Sequence, residues 1–501
     1  MMRRVGWLAA LVTALGGALT LCVAGSQAVA HERVVPPWQM ASDWPDRVAA
    51  TVTRDPTTGF SVTWRTDKTV GDPRFQYVKA SADARFDLGP VTTIEARTQM
   101  LDLEVMKQGE RSAYAPYNQG LGRTHHHSVT LDKLAPDTLY AYRVEGARGH
   151  WSEWFQIRTA PTSGPMTMVY FGDAQNGILS HWSRMIRMAG RKAPDARFML
   201  HAGDLVNDAH RDRDWAEWFT AGSYWHATPM MIPVAGNHEH MGARLADGTN
   251  RKRVLTPFWQ AQFTLPVEKD LPEKWHETVY DSRLTPDVHI FVLSSTFGDF
   301  EVQAQWLDEK LAASDARWKI VTMHHPYFAP AAFDRNPRDA DRRTAFAKVI
   351  EARDVDLVLT GHIHFYNRNS QVPAGDTPSA RVAKGQGRIV KTMYLISSSG
   401  AKVGGEFPRE QVEAEFGDGV PDVGQMSLDR VAGNTPMFQV MRFDGARLSF
   451  TAFTGTGEAY DAFTLEDMGD GRNQLVDGEA AYGDSRYFGN TGPYEDWRGI
   501  Q

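Results

Sequence analysis

Five short apolar runs in the middle of the chain each end in residues that bind metals or move protons. They are Met168-Val169-Tyr170-Phe171-Gly172-Asp173, Phe198-Met199-Leu200-His201-Ala202-Gly203-Asp204, Val234-Ala235-Gly236-Asn237-His238-Glu239, Val321-Thr322-Met323-His324-His325-Pro326 and Val358-Leu359-Thr360-Gly361-His362-Ile363-His364. Gly-Asp alone is uninformative, because it occurs eight times, yet only the pairs at Gly172 and Gly203 follow directly on a buried-strand pattern. Carboxylate, imidazole and amide oxygen together form a donor set for Fe, Zn or Mn. A carboxylate can bridge two cations about 3.5–4 Å apart, and such a pair acidifies a bound water and neutralises a phosphoryl group in transfer. His362 and His364 are two residues apart, so on extended backbone both rings project to one side and one can serve each cation. The glycines before the ligands let the backbone turn sharply at a crowded centre.

The elements that must position these residues follow from the surrounding pattern. After Gly164, apolar runs of strand length (Met166–Phe171, Phe198–Leu200, Met230–Ala235, Val288–Leu293, Lys319–Met323, Val355–Thr360) alternate with helix-length segments at His181–Arg191, Trp215–Ala221, Ala304–Ser314 and Arg342–Arg353. That alternation predicts an α/β layer structure, in which ligands gather beyond the carboxyl ends of the strands. Ahead of it, residues 31–161 read as short strands (Val48–Val52, Phe60–Trp64, Phe75–Lys79, Thr93–Glu95, His127–Leu131, Tyr140–Val144) broken by Pro and Gly turns, the pattern of a β-sandwich. His125-His126-His127 falls on one of these strands and is expected to be solvated. Strands return from Thr392 to Leu465, and residues 466–501 form a Gly- and Asp-rich tail with no assigned role.

Leu134-Ala135-Pro136-Asp137-Thr138-Leu139-Tyr140-Ala141-Tyr142-Arg143-Val144 resembles the signature of a fibronectin type III domain, with Thr159-Ala160-Pro161 as its exit linker. The five strand-end motifs, in this order, resemble the calcineurin-like metallophosphoesterase superfamily, and together with the front domain they are most similar to its purple acid phosphatase branch. The resemblance covers residues 35 to 465 and implies a four-layer αββα catalytic domain over residues 165–465. It implies that Asp173 binds a first metal, Asp204 bridges, Asn237, His324 and His362 bind a second, and His364 returns to the first. His238 matches the histidine that contacts the phosphate and protonates the leaving oxygen, and attack by a metal-bound hydroxide is implied. Two positions depart from the pattern: Asn207 stands where purple acid phosphatases have a tyrosine ligand, and Gln175 where many superfamily members have a histidine. Both amides stay open between ligation through oxygen and hydrogen bonding behind the ligands. His240, His325 and Arg368 are candidates for substrate contact, and His201 reads as a core histidine.

Residues 1–30 read as an export signal: Arg3-Arg4, an apolar stretch from Val5 to Ala24 and the small-residue end Ala28-Val29-Ala30. The expected location is periplasmic or secreted. The only cysteine, Cys22, lies in that segment, so neither disulfides nor thiolate ligands serve the rest of the chain. Over 501 residues the net charge is −7, which disfavours a nucleic-acid or anionic-membrane partner. The expected activity is hydrolysis of small phosphate monoesters with two metal ions. A phosphodiesterase or nucleotidase is the enzyme alternative, and a binding protein with a decayed catalytic domain the non-enzyme one; oligomeric state is left open.

Overall fold

Strands made only of apolar residues are stable where both faces are covered, and here each face meets a different layer. The computed structural model describes residues 36–103, 118–240, 242–244, 251–296, 298–326, 337–373, 384–402 and 426–486. Met166–Phe171, Phe198–His201 and Met230–Pro233 lie parallel and fully buried. Alternate side chains face opposite ways. The Tyr170 hydroxyl donates to the carbonyl of Thr360 in a second sheet, whereas Phe171 packs outward on Trp182 at 5.6 Å between ring centres.

The second sheet holds Val288–Val292, Trp318–Thr322, Leu357–Thr360 and Met393–Ile396 in parallel, with antiparallel strands at both edges. Ile290, Val292, Ile320, Leu357 and Leu359 join Met168 and Tyr170 in the core between the sheets. Phe291, Val321 and Val358 face outward onto Trp306 and Leu307 of helix Phe300–Ala312 and Phe346 and Ile350 of helix Pro337–Ala352. On the other side, helices Ser183–Lys192 and Asp212–Gly222 bury Met185, Ile186, Ala189, Trp215 and Trp218 along one stripe of each helix. The result is the expected helix, sheet, sheet, helix stack of the α/β class.

The front region also folds as two sheets, packed through contacts such as Phe60 on Tyr142. One of them is not separate, however. Asp46–Val52 pairs in parallel with Met230–Pro233, so Asp46–Val52, Phe60–Asp67, Arg123–Leu131 and Arg97–Asp102 extend the catalytic sheet to twelve strands. A buried ion pair supports the join, with Arg47 donating to both carboxylate oxygens of Asp212 at 2.8 and 2.9 Å. Ala160, expected in a linker, is buried, and its N–H donates to Pro56 at 2.9 Å.

Two further expectations are corrected. His126 and His127 are buried, because their strand is covered on both sides; His127 bridges Thr66 and Thr98. The supposed tail begins inside the fold: Asn473–Asp477 pairs with Ala459–Asp467 and Gly387–Val390, so the sheet runs past residue 465. A five-residue strand with polar neighbours carries too little apolar pattern to be read alone. Residues 1–30 and 487–501 lie outside the described residues. Among the described residues, no helix is long and apolar enough to cross a membrane.

Candidate binuclear metal centre

The five strand ends converge on one point. Asp173, Asp204 and His362 adopt left-handed backbone, with φ of 38°, 51° and 70°. For residues with side chains this costs about 1–3 kcal/mol each, and such strain persists only where the surroundings fix it. Two glycines show what fixes it here. A Cβ on Gly203 (φ 88°) would lie 2.4 Å from the His324 ring, and one on Gly236 would lie 2.2 Å from Asp204 Oδ1. Only glycine allows these loops to meet.

Two donor sets share one oxygen. Asp204 Oδ2 lies 3.2 Å from His324 Nε2, which in turn lies 3.0 Å from Asn237 Oδ1 and 3.3 Å from His362 Nδ1. On the other side the same Asp204 Oδ2 accepts a hydrogen bond from Gln175 Nε2 at 3.0 Å, and that nitrogen lies 3.2 Å from His364 Nε2. Asp173 Oδ1 completes this set, 3.5 Å from His364 Nε2 and 3.4 Å from Gln175 Nε2. Donors bonded at about 2.1 Å to a common ion stand about 3.0 Å apart in an octahedron and about 3.4 Å apart in a tetrahedron. The observed spacings therefore fit two metal ions with Asp204 between them.

Groups behind the donors hold them in place. His324 Nδ1 donates to the Ala202 carbonyl at 2.9 Å, which turns Nε2 inward. Asp173 Oδ2 accepts the His362 N–H at 2.6 Å, and Asp204 Oδ1 the His238 N–H at 2.9 Å. Burial works to raise the Asp204 pKa, and the charges of His324 and His238 overcome it, holding the carboxyl well below the usual range. His324 shows the reciprocal effect: burial opposes its charge, but Asp204 and Asp173 push it up to about 9. A buried site that draws positive charge this strongly is suited to cations. Burial, reinforced by His324, lowers His362.

His238 sits at the edge of the cluster. Its Nδ1 donates to the Asn207 carbonyl, which directs Nε2 toward Asp204 Oδ2, 3.8 Å away. Burial lowers its pKa, against the pull of Asp204. Asn207 thus meets the site through its backbone. His325 is near the cluster, with Nδ1 on Ser295 Oγ at 3.0 Å and its ring 4.1 Å from that of His362. His240 is buried, with Nδ1 bonded to the Gly236 carbonyl, and acts on the loop rather than at a mouth.

Arg368 is not a substrate contact. It is fully buried, pairs with Asp461 at 2.8 Å and Asp477 at 2.9 Å, and ties the two sheets together. Its closeness in sequence to His364 suggested the mouth, but the intervening backbone enters strand Tyr366–Gln371 and turns inward. Glu239 has a part that sequence reasoning left unassigned. Its carboxylate accepts the N–H groups of Asp204 and Leu205 at 2.9 Å and of Gly236 at 2.8 Å, joining two ligand loops. Burial and the neighbouring Asp204 push its pKa up to about 8. An acid directly after Asn237-His238, in a segment with no other acid nearby, was the available signal.

Both parts of the chain resemble known proteins. The family model for calcineurin-like phosphoesterases matches residues 166–366, and that for the purple acid phosphatase N-terminal domain matches residues 45–159. Residues 166–366 are thus a calcineurin-like phosphoesterase domain, preceded at 45–159 by a domain of the purple acid phosphatase N-terminal type. It is 26% identical over 293 residues to a purple acid phosphatase of Glycine max, covering 54% of this chain and 58% of the relative. It is 25% identical over 287 residues to the Fe(3+)-Zn(2+) purple acid phosphatase 12 of Arabidopsis thaliana, covering 53% and 57%. The chain thus spans somewhat over half the length of these curated relatives. The solved structure of purple acid phosphatase PPD1 from yellow lupin seeds shares the fold, with a TM-score of 0.64 at 17% identity over 88% of this chain and 76% of that one.

Proposed function

We propose that the protein is an exported phosphomonoesterase of the acid phosphatase type that works with two metal ions and acts on small phosphate esters. The observation that carries this reading is the position of Asp204 Oδ2, beside His324, Asn237 and His362 on one side and, across the Gln175 amide, beside Asp173 and His364 on the other. When bound, the two ions supply an activated water and neutralise the phosphoryl charge. The chain's own groups do the rest. Asp204 holds the two sets in register, and Glu239 locks its loop to that of Asn237. His238 keeps its Nδ1–H on the Asn207 carbonyl, so its Nε2, once protonated, can hold a phosphate oxygen and pass that proton to the leaving alkoxide, leaving a neutral ring. The near-complete burial of Asp173, Asp204 and His324 excludes bulk water from the donors.

The test compares p-nitrophenyl phosphate hydrolysis by metal-loaded protein with that of Asp204→Asn. Activity in the parent and a loss of at least about 10³-fold, or roughly 4 kcal/mol in the barrier, is expected. Activity on bis(p-nitrophenyl) phosphate alone would transfer the reading to diesters. Inactivity on both, with no metal bound, would favour the binding-protein reading. Export is tested by N-terminal sequencing of protein recovered from outside the cytoplasm, where a start near His31 is expected.

A further inference from the structure

Gln175 is the one member of the cluster whose bonding is incomplete in a telling way. The residue is fully buried, its amide nitrogen faces Asp204 Oδ2, Asp173 Oδ1 and His364 Nε2 at 3.0, 3.4 and 3.2 Å, and its Oε1 has no hydrogen-bond partner. The two ends of an amide are alike in shape and exchange by a half-turn of the last side-chain bond. That half-turn puts an oxygen among two carboxylate oxygens and an imidazole nitrogen, a setting that a bound cation makes favourable.

The loop leaves the amide little choice of position. Asp173 and Asn176 on either side are left-handed, at φ 38° and 67°. The Gln175 N–H donates to the Asp204 carbonyl at 3.2 Å, and a Cβ on Gly400 would sit 2.5 Å from the Gln175 carbonyl oxygen. The side chain is therefore held against the donors.

Resting on the binuclear reading above, we infer that Gln175 is a metal ligand through Oε1, doing for the first ion what Asn237 does for the second. Each ion then has one amide oxygen, shares Asp204, and differs in the rest: carboxylate and one imidazole on the first, two imidazoles on the second. Protein charge at the first site comes from Asp173 and the shared Asp204 alone. Neutral amide oxygen stabilises a trivalent ion far less than an anionic phenolate does, and oxygen-rich sets favour harder divalent ions. The first site is accordingly a divalent site that accepts Mn(II) and is weaker for Zn(II) than the second.

The test uses the full chain, stripped with chelator and reloaded with Mn(II) or Zn(II), followed by metal analysis and by paramagnetic resonance of the Mn(II) form. Two bound Mn(II) with a spin-coupled spectrum are expected for the parent. Gln175→Leu should keep one ion, lose the coupled spectrum and bind the other at least ten-fold more weakly. Gln175→Glu should restore two, and Gln175→His should shift the first site toward Zn(II). The retained ion in Gln175→Leu doubles as evidence of folding. A Leu variant that binds two ions as tightly as the parent overturns the inference and leaves the binuclear reading intact. A parent that binds fewer than two overturns both.

Discussion

His201 makes the stability of this protein depend on acidity. It lies on the outer face of the catalytic sheet, stacked on Phe171 at 5.3 Å and edge-on to Trp218 at 5.4 Å, and its Nε2 has no partner. Burial lowers its pKa to about 3. In the unfolded chain the ring titrates near 6.5. Above that value both states are neutral and the full stability is present. As pH falls below it the unfolded state binds a proton that the folded state refuses, so stability is lost progressively down to about pH 3. Between pH 8 and pH 5 the difference amounts to about 2 kcal/mol from this residue alone. Urea unfolding followed by tryptophan fluorescence at the two pH values, for the parent and His201→Leu, isolates it. Whatever the baseline stability of the Leu variant, the loss between pH 8 and pH 5 is expected to be smaller in the variant by about 2 kcal/mol. Equal losses in both proteins would refute the argument.

Other expectations bear on the site and on the join between its sheets. Iron-loaded protein should lack an intense tyrosinate-to-iron band in its visible spectrum, since residue 207 is Asn; such a band would mean that another tyrosine reaches the ion. Asp212→Asn leaves Arg47 buried beside a neutral partner, while Arg65 keeps Asp46, and should cost about 3–5 kcal/mol in urea unfolding; a change within the error of the measurement would show that the pair is dispensable. Deleting residues 36–160 strips Asp46–Val52 from Met230–Pro233 and uncovers the edge of the catalytic sheet, so aggregation is expected, and a soluble, fully active fragment would contradict the shared-sheet description. Gly203→Ala drives a methyl group into the His324 ring and should lower the number of bound ions measured by metal analysis.

The residues from Met166 to His364 display their chemistry in sequence because strand ends in an open α/β fold are local events: an apolar run stops, a glycine turns, and a polar side chain follows. Order and type of those five endings pointed to the α/β class and, through the resemblance they carry, singled out Asp173, Asp204, Asn237, His324, His362 and His364, which the structure brings to one cluster. What tertiary structure decided are contacts between residues far apart in the chain. It took Arg368 from the supposed mouth into an ion pair with Asp461, gave Glu239 the task of holding the Asp204 loop, and merged the front sheet with the catalytic one through Asp46–Val52. It buried His126 and His127 under neighbours that no local pattern announces. Pattern records which face of an element is apolar, whereas the identity of the partner across that face depends on packing, and packing is a property of the whole chain.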